Sequence, residues 1–163
     1  ISGQPSVAFK TEKNIEFSLK YKDGTKDSPV SINPYAKLFW AVDGDSTVVL
    51  GKKGGTFDVE IGAVPTYSTP SFTISAPTWF TVGPKTYWGT GANKDGNFGV
   101  ITTGLKLSKP LSFIKGGAGA SVYAQAQYYH LINDNLVTAK SILNSGDHKR
   151  NHVVFGVGLN FGF

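Results

Sequence analysis

The segment NHVVFGVGLNFGF, residues 151–163, alternates along its whole length. Side chains of a strand point to opposite faces with period two, so Val153, Phe155, Val157, Leu159, Phe161 and Phe163 share one face. His152, Val154, Gly156, Gly158, Asn160 and Gly162 share the other. The first face is wholly apolar and the second is small or polar. Such a strand has hydrocarbon on one side and something crowded or wet on the other. Whether the hydrocarbon is a protein core or a lipid bilayer decides the fold.

Six more segments carry the same pattern. With the apolar face called outer, residues 14–22 set Ile15, Phe17, Leu19 and Tyr21 against Glu16, Lys20 and Lys22. Residues 31–43 set Ile32, Leu38, Trp40 and Val42 against Tyr35, Lys37 and Phe39, and residues 56–68 set Phe57, Val59, Ile61 and Tyr67 against Asp58, Glu60 and Gly62. Residues 72–82 place Ile74 and Phe80 opposite Thr73, Trp79 and Thr81; residues 100–108 place Ile101, Leu105 and Leu107 opposite Thr102 and Lys106. In residues 121–129, Val122, Ala124, Ala126 and Tyr128 oppose Tyr123, Gln125, Gln127 and Tyr129. These stretches of about 9 to 13 residues exceed the five or six usual in soluble sheets and approach what a tilted strand needs to cross a bilayer. Pro34, Pro65 and Pro77 fall inside them. Lacking a ladder donor, each is expected at a bulge, a strand end or an edge.

Composition agrees with an all-β chain. The 163 residues suit one domain. Twenty glycines, eleven phenylalanines, seven tyrosines and only 17% charged residues favour strands and turns over helices. With no cysteine and three histidines, disulfides and thiolate metal sites are excluded and little remains for a zinc centre. No metal ligands and no cofactor are expected. No apolar run reaches the roughly 18 to 20 residues of a membrane-spanning helix, a limit that leaves a barrel open. The chain begins at Ile1 with no signal-peptide pattern, which is read as a processed or truncated start.

The connections sort into a shorter set (23–30, 69–71 and 110–120) and a longer set (44–55, 83–97 and 132–150), and the two alternate along the chain. Short turns on one rim and long loops on the other describe an outer-membrane barrel. The closing VVFGVGLNFGF resembles the last strand of the bacterial outer-membrane β-barrel family, porin-like proteins whose terminal strand is amphipathic and ends in phenylalanine. The resemblance spans the strand pattern, and only the terminal strand is a specific motif. It implies an antiparallel up-and-down transmembrane β-barrel in the outer membrane of a Gram-negative bacterium. It also implies that Phe163, with Phe161, is read by the outer-membrane assembly machinery. Single-chain bacterial barrels have even strand numbers, and seven clear strands are counted here. Either residues 1–13 supply an eighth, or the chain is the C-terminal part of a larger barrel, N-terminally truncated.

On this reading Phe57, Ile61, Leu105, Phe155, Leu159 and Phe163 face lipid. Glu16, Lys20, Lys37, Asp58, Glu60 and Lys106 form a charged network in the lumen, which would plug a narrow barrel or form a selective constriction in a wide one. Trp79, Tyr123, Gln125, Gln127 and Tyr129 form a second, hydrogen-bonding aromatic set, of the kind that stacks on sugars in some channels or simply fills a lumen. Asp58 and Glu60 are same-face neighbours rather than an acid–base pair. His130, Asp134 and Ser141 or Ser145 can be drawn as a triad, but no nucleophile-elbow motif accompanies them. GKKGG at residues 51–55 lacks phosphate-loop spacing and reads as a hairpin loop. No catalytic residues are expected.

Lys52, Lys53, Lys85, Lys94, Lys140, His148, Lys149 and Arg150 make the long-loop rim basic, suited to lipopolysaccharide phosphates or simply solvated. Tyr21, Tyr35, Trp40, Tyr67, Phe80, Tyr87, Trp88 and Tyr128 lie near strand ends, where interfacial aromatic girdles sit. A net charge of +5 without a basic cluster interleaved with aromatics does not indicate nucleic acid. The expected function is a passive channel or a structural membrane protein, with lipid as neighbour and a protein partner or a second copy left open. The alternatives are an outer-membrane scaffold subunit and a soluble barrel whose apolar face encloses a hydrophobic ligand.

Overall fold

A computed structural model describes residues 13–24, 28–43, 55–88, 97–111, 119–143 and 146–161; for Asp43, Thr86 and residues 139–143 it describes the backbone alone. The alternating segments form one antiparallel sheet, and three of them are each divided in two at their proline. The strands are β1 (Lys13–Lys20), β2 (Val30–Ser31), β3 (Pro34–Asp43), β4 (Thr56–Ala63), β5 (Thr66–Ser68), β6 (Thr73–Ser75), β7 (Thr78–Val82), β8 (Phe98–Pro110), β9 (Ala120–Leu131) and β10 (Asn151–Phe161). The main ladder runs β1, β3, β4, β7, β8, β9, β10, and β2, β5 and β6 prolong it on the turn side, with β6 pairing the far end of β8.

The divisions lie side by side, at residues 32–33, 64–65 and 76–77. Few bonds carry the ladder across them: the Val64 amide donates to the Ile32 carbonyl at 3.0 Å and to the Asn33 carbonyl at 3.3 Å, the Asn33 side-chain amide donates to the Val64 carbonyl at 3.3 Å, and the Ala76 amide donates to the Pro65 carbonyl at 2.8 Å. A proline without an N–H leaves a gap in the ladder, and three such gaps in register make a transverse seam. Asn33 takes a left-handed φ of 50° at the seam, a conformation asparagine tolerates better than most residues. Its amide and that of Ile32 both donate to the Asp23 carboxylate, at 2.8 and 2.9 Å.

Within the described residues β1 and β10 each pair on one side only, so the sheet is open rather than a closed ring. Seven consecutive antiparallel strands leave these two edges running in the same direction. No described helix is long and apolar enough to cross a membrane, which says nothing about crossing by strands.

The long connections carry two helices that the sequence reading does not anticipate, α1 (Lys85–Trp88) and α2 (Asp134–Leu143). Asn133 caps α2, its side-chain oxygen accepting from the Asn135 amide at 3.0 Å. Arg150 ion-pairs with Asp134 and donates to the carbonyls of Leu131 and Ile132, tying the start of α2 to the end of β9.

The two faces of the sheet are inverted relative to a soluble protein. Phe155 is 78% exposed, Val157 82% and Leu19 76%, whereas Asp58 is 6% exposed and Thr102 is fully buried. Burial therefore belongs to the polar side, and the only cluster of buried large apolar side chains among the described residues is Tyr87 with Trp88, joined by Leu136.

Candidate functional site: the polar face of the sheet

Register decides which inward side chains meet. Lys20, Tyr35, Gly62, Trp79, Thr102, Tyr129 and His152 are successive cross-strand partners, one continuous row across all seven strands. A Cβ on Gly62 would lie 2.6 Å from the Trp79 Cβ and 2.9 Å from the Tyr35 ring, so only glycine lets both aromatics share this row. Trp79 meets Tyr129 edge to face at 6.2 Å.

Two residues further toward the long loops, and so on the same face, the row reads Ser18, Lys37, Glu60 and Thr81. Lys37 and Glu60 are directly opposed and form an ion pair at 3.5 Å, and the Tyr35 hydroxyl hydrogen-bonds Glu60. The Thr81 hydroxyl accepts from the Val100 amide at 3.0 Å. Beyond lies Asp58, opposite Phe39. On the turn side, Lys106 sits 4.2 Å over the Tyr123 ring, and Tyr123 in turn covers Gly158, where a Cβ would come within 2.6 Å of its hydroxyl. Gln125 lies over Gly156 less tightly, its Cγ 3.4 Å from where a Cβ would be, an ordinary contact distance. The small face of the last strand is thus occupied by side chains of β9.

Of the expected charged network, Lys37 and Glu60 are brought together as an ion pair. Glu16 and Lys20 share the inner face on the edge strand β1 and are exposed, Asp58 is buried one row away, and Lys106 stands beside Tyr123. In the polar set, Trp79 joins Tyr129, and Tyr123 and Gln125 cover glycines; Gln127 packs beside Gly104, its Cγ 3.3 Å from where a Cβ would be. Phe57, Ile61, Leu105, Phe155 and Leu159 are all exposed on the apolar face. Phe163 lies outside the described residues, as do residues 1–12, Lys52, Lys53, Lys94 and Ser145 and the side chains of Lys140 and Ser141.

One expectation is corrected. Tyr87 and Trp88 are not girdle residues: both are buried, stacked edge to face at 4.7 Å, with the Trp88 ring over Gly99 and its Nε1 donating to the Asn97 carbonyl at 2.9 Å. The residues of the triad already set aside have other partners: His130 Nδ1 shares the Asn151 side-chain oxygen with the Tyr128 hydroxyl, at 2.7 and 2.8 Å, while Asp134 pairs with Arg150. The sequence reading missed Gly62, Asn133 and Asp23. Only Asn133, a capping residue before LVTAKSIL, carries a local signal.

No family model, curated protein or solved structure matches the chain. No group of three metal-ligating side chains occurs among the described residues. Among the described residues the face presents charged, hydroxyl, amide and aromatic side chains.

Proposed function

We propose that the chain is a transmembrane β-barrel protein of a Gram-negative outer membrane, working as a passive channel or a structural barrel and not as an enzyme. One observation carries the reading: the contiguous apolar side of the sheet faces outward, with Phe155, Val157 and Leu19 more than three-quarters exposed, while the charged residue Asp58 is buried on the other side. Burying apolar surface is worth about 25 cal/mol per Å², and a water-soluble domain would forfeit that gain over this whole face. Lipid supplies the missing neighbour. A soluble barrel with a greasy interior would show the opposite arrangement.

Strand length supports the same reading. β8, β9 and β10 have 13, 12 and 11 residues. At about 3.3 Å per residue and a tilt of about 40–45°, they span roughly 25–30 Å, the height of an apolar barrel belt. Closure requires an odd number of further strands between β1 and β10, because those edges run in the same direction and only an antiparallel strand between them restores the alternating ladder. One such strand gives an eight-stranded barrel whose lumen side chains fill; more give a wider bore.

The test is extraction. Recovery from washed membranes only in detergent, with a folded band that shifts in gel mobility on boiling, is expected. Release by salt or alkaline wash, with no heat-dependent shift, would contradict the reading. Single-channel conductance in planar bilayers then separates a pore from a filled barrel.

A further inference from the structure

The inner-face charges are sorted along the strands. Glu16 and Asp58 lie on the long-loop side of the Lys37–Glu60 row, whereas Lys20, Lys22 and Lys106 lie on the turn side. Where β1 meets β3 at the turn end, the polar face opens into a cleft of about 280 Å³, lined by Lys20, Lys22 and Lys37 with Tyr35 and Asn33. None of the described residues lining it is a carboxylate.

Two acids beside the lining residues, Glu60 opposite Lys37 and Asp23 next to Lys22 in sequence, are already committed. Glu60 takes the Lys37 ammonium and the Tyr35 hydroxyl. Asp23 turns to the amides of Ile32 and Asn33. Glu60 balances Lys37, which leaves Lys20 and Lys22 as an excess of positive charge at the edge of an aromatic-walled recess. Ammonium groups two residues apart on the same side of the chain, both lining one recess, raise the local concentration of anions and donate charge-assisted hydrogen bonds to oxyanions.

We infer that this cleft is a binding site for a small soluble oxyanion, a phosphate or carboxylate, at the turn-side mouth of the lumen. The location of the mouth rests on the barrel reading; the cleft itself does not. A bound oxyanion bridges Lys20 and Lys22, with Tyr35 as the aromatic wall. In a conducting barrel the site makes the turn-side entrance anion-preferring.

The experiment is calorimetric titration of the full chain, folded in detergent, with inorganic phosphate at low ionic strength. Saturable binding is expected. Affinity should fall at least about tenfold in the Lys20→Gln/Lys22→Gln variant, the loss of two charge-assisted contacts, and should be unchanged in Lys85→Gln, an exposed lysine at the other rim. Heat-modifiable mobility establishes that each variant folds. Absence of saturable binding, or an equal loss in Lys85→Gln, overturns the site. A lipid phosphate as the true occupant is distinguished in nanodiscs: phosphate affinity equal in phosphatidylcholine and phosphatidylglycerol discs supports a soluble anion, and a tenfold loss in phosphatidylglycerol overturns it. Detergent-dependent extraction without phosphate binding defeats the site alone. Phosphate binding by a protein released without detergent defeats the barrel alone.

Discussion

Gly158 shows how a single missing side chain shapes the polar face. Tyr123 lies where its Cβ would be, with Lys106 above the ring. Replacing Gly158 with leucine must displace Tyr123, and overpacking of this kind costs about 1–3 kcal/mol. Urea unfolding from lipid vesicles should show that loss, and Tyr123→Ala in the same chain should recover part of it. Asp23 makes a second prediction at this scale, argued from its charge. The amide of Asn33 first, and that of Ile32 next, hold its carboxyl below the ordinary value of 3.8. A carboxyl whose folded value is lowered stabilises the fold fully above its unfolded value and loses that contribution as pH falls through the folded one. Asp23→Asn should therefore lower the unfolding midpoint near neutral pH, and the gap from the parent should close below about pH 4. A gap that persists unchanged at pH 2 would contradict the assignment.

Among the elements, the strands were legible from alternation alone because a one-residue slip would exchange the two faces completely. The prolines announced the seam, although their alignment into one transverse line depends on register, which no single strand encodes. The helices were not legible. α1 is four residues long, and α2 follows an Asn133 cap inside a connection whose length already suited an extracellular loop. Tyr87 and Trp88 were misread for a related reason: aromatics near strand ends suit an interfacial belt equally well, and only the fold of the connection turns them inward. Here Trp88 packs on Gly99, and Tyr87 and Trp88 gather Leu136 from α2. If this cluster narrows the long-loop mouth, Trp88→Ala opens it. The expected outcome is larger single-channel conductance than the parent, with a stability loss of about 3–5 kcal/mol from the buried ring. Unchanged conductance with the same stability loss would assign the cluster a purely structural role. On the polar face, alternation identified the inward residues; which of them touch was set by register, so Lys37 met Glu60 while Glu16 and Lys20 stayed apart from it on the edge strand.

At the level of the whole molecule, the inverted distribution of polarity is the property from which function follows. A sheet that buries threonines and an aspartate while presenting phenylalanine, valine and leucine outward gains nothing from water on its apolar side. In the proposed barrel its polar side would line the lumen, with Lys20, Lys22 and Lys106 toward the turns and Glu16 and Asp58 toward the loops. The chain contains no native cysteine, so single cysteines introduced along β10 at residues 152–159 can each carry a unique nitroxide label in reconstituted vesicles. Collision with oxygen, which concentrates in hydrocarbon, should be high at 153, 155, 157 and 159 and low at 152, 154, 156 and 158, a period-two pattern with Phe155 near its maximum. High collision with a water-soluble nickel chelate and low collision with oxygen at residue 155 would place water against the apolar face and contradict the account.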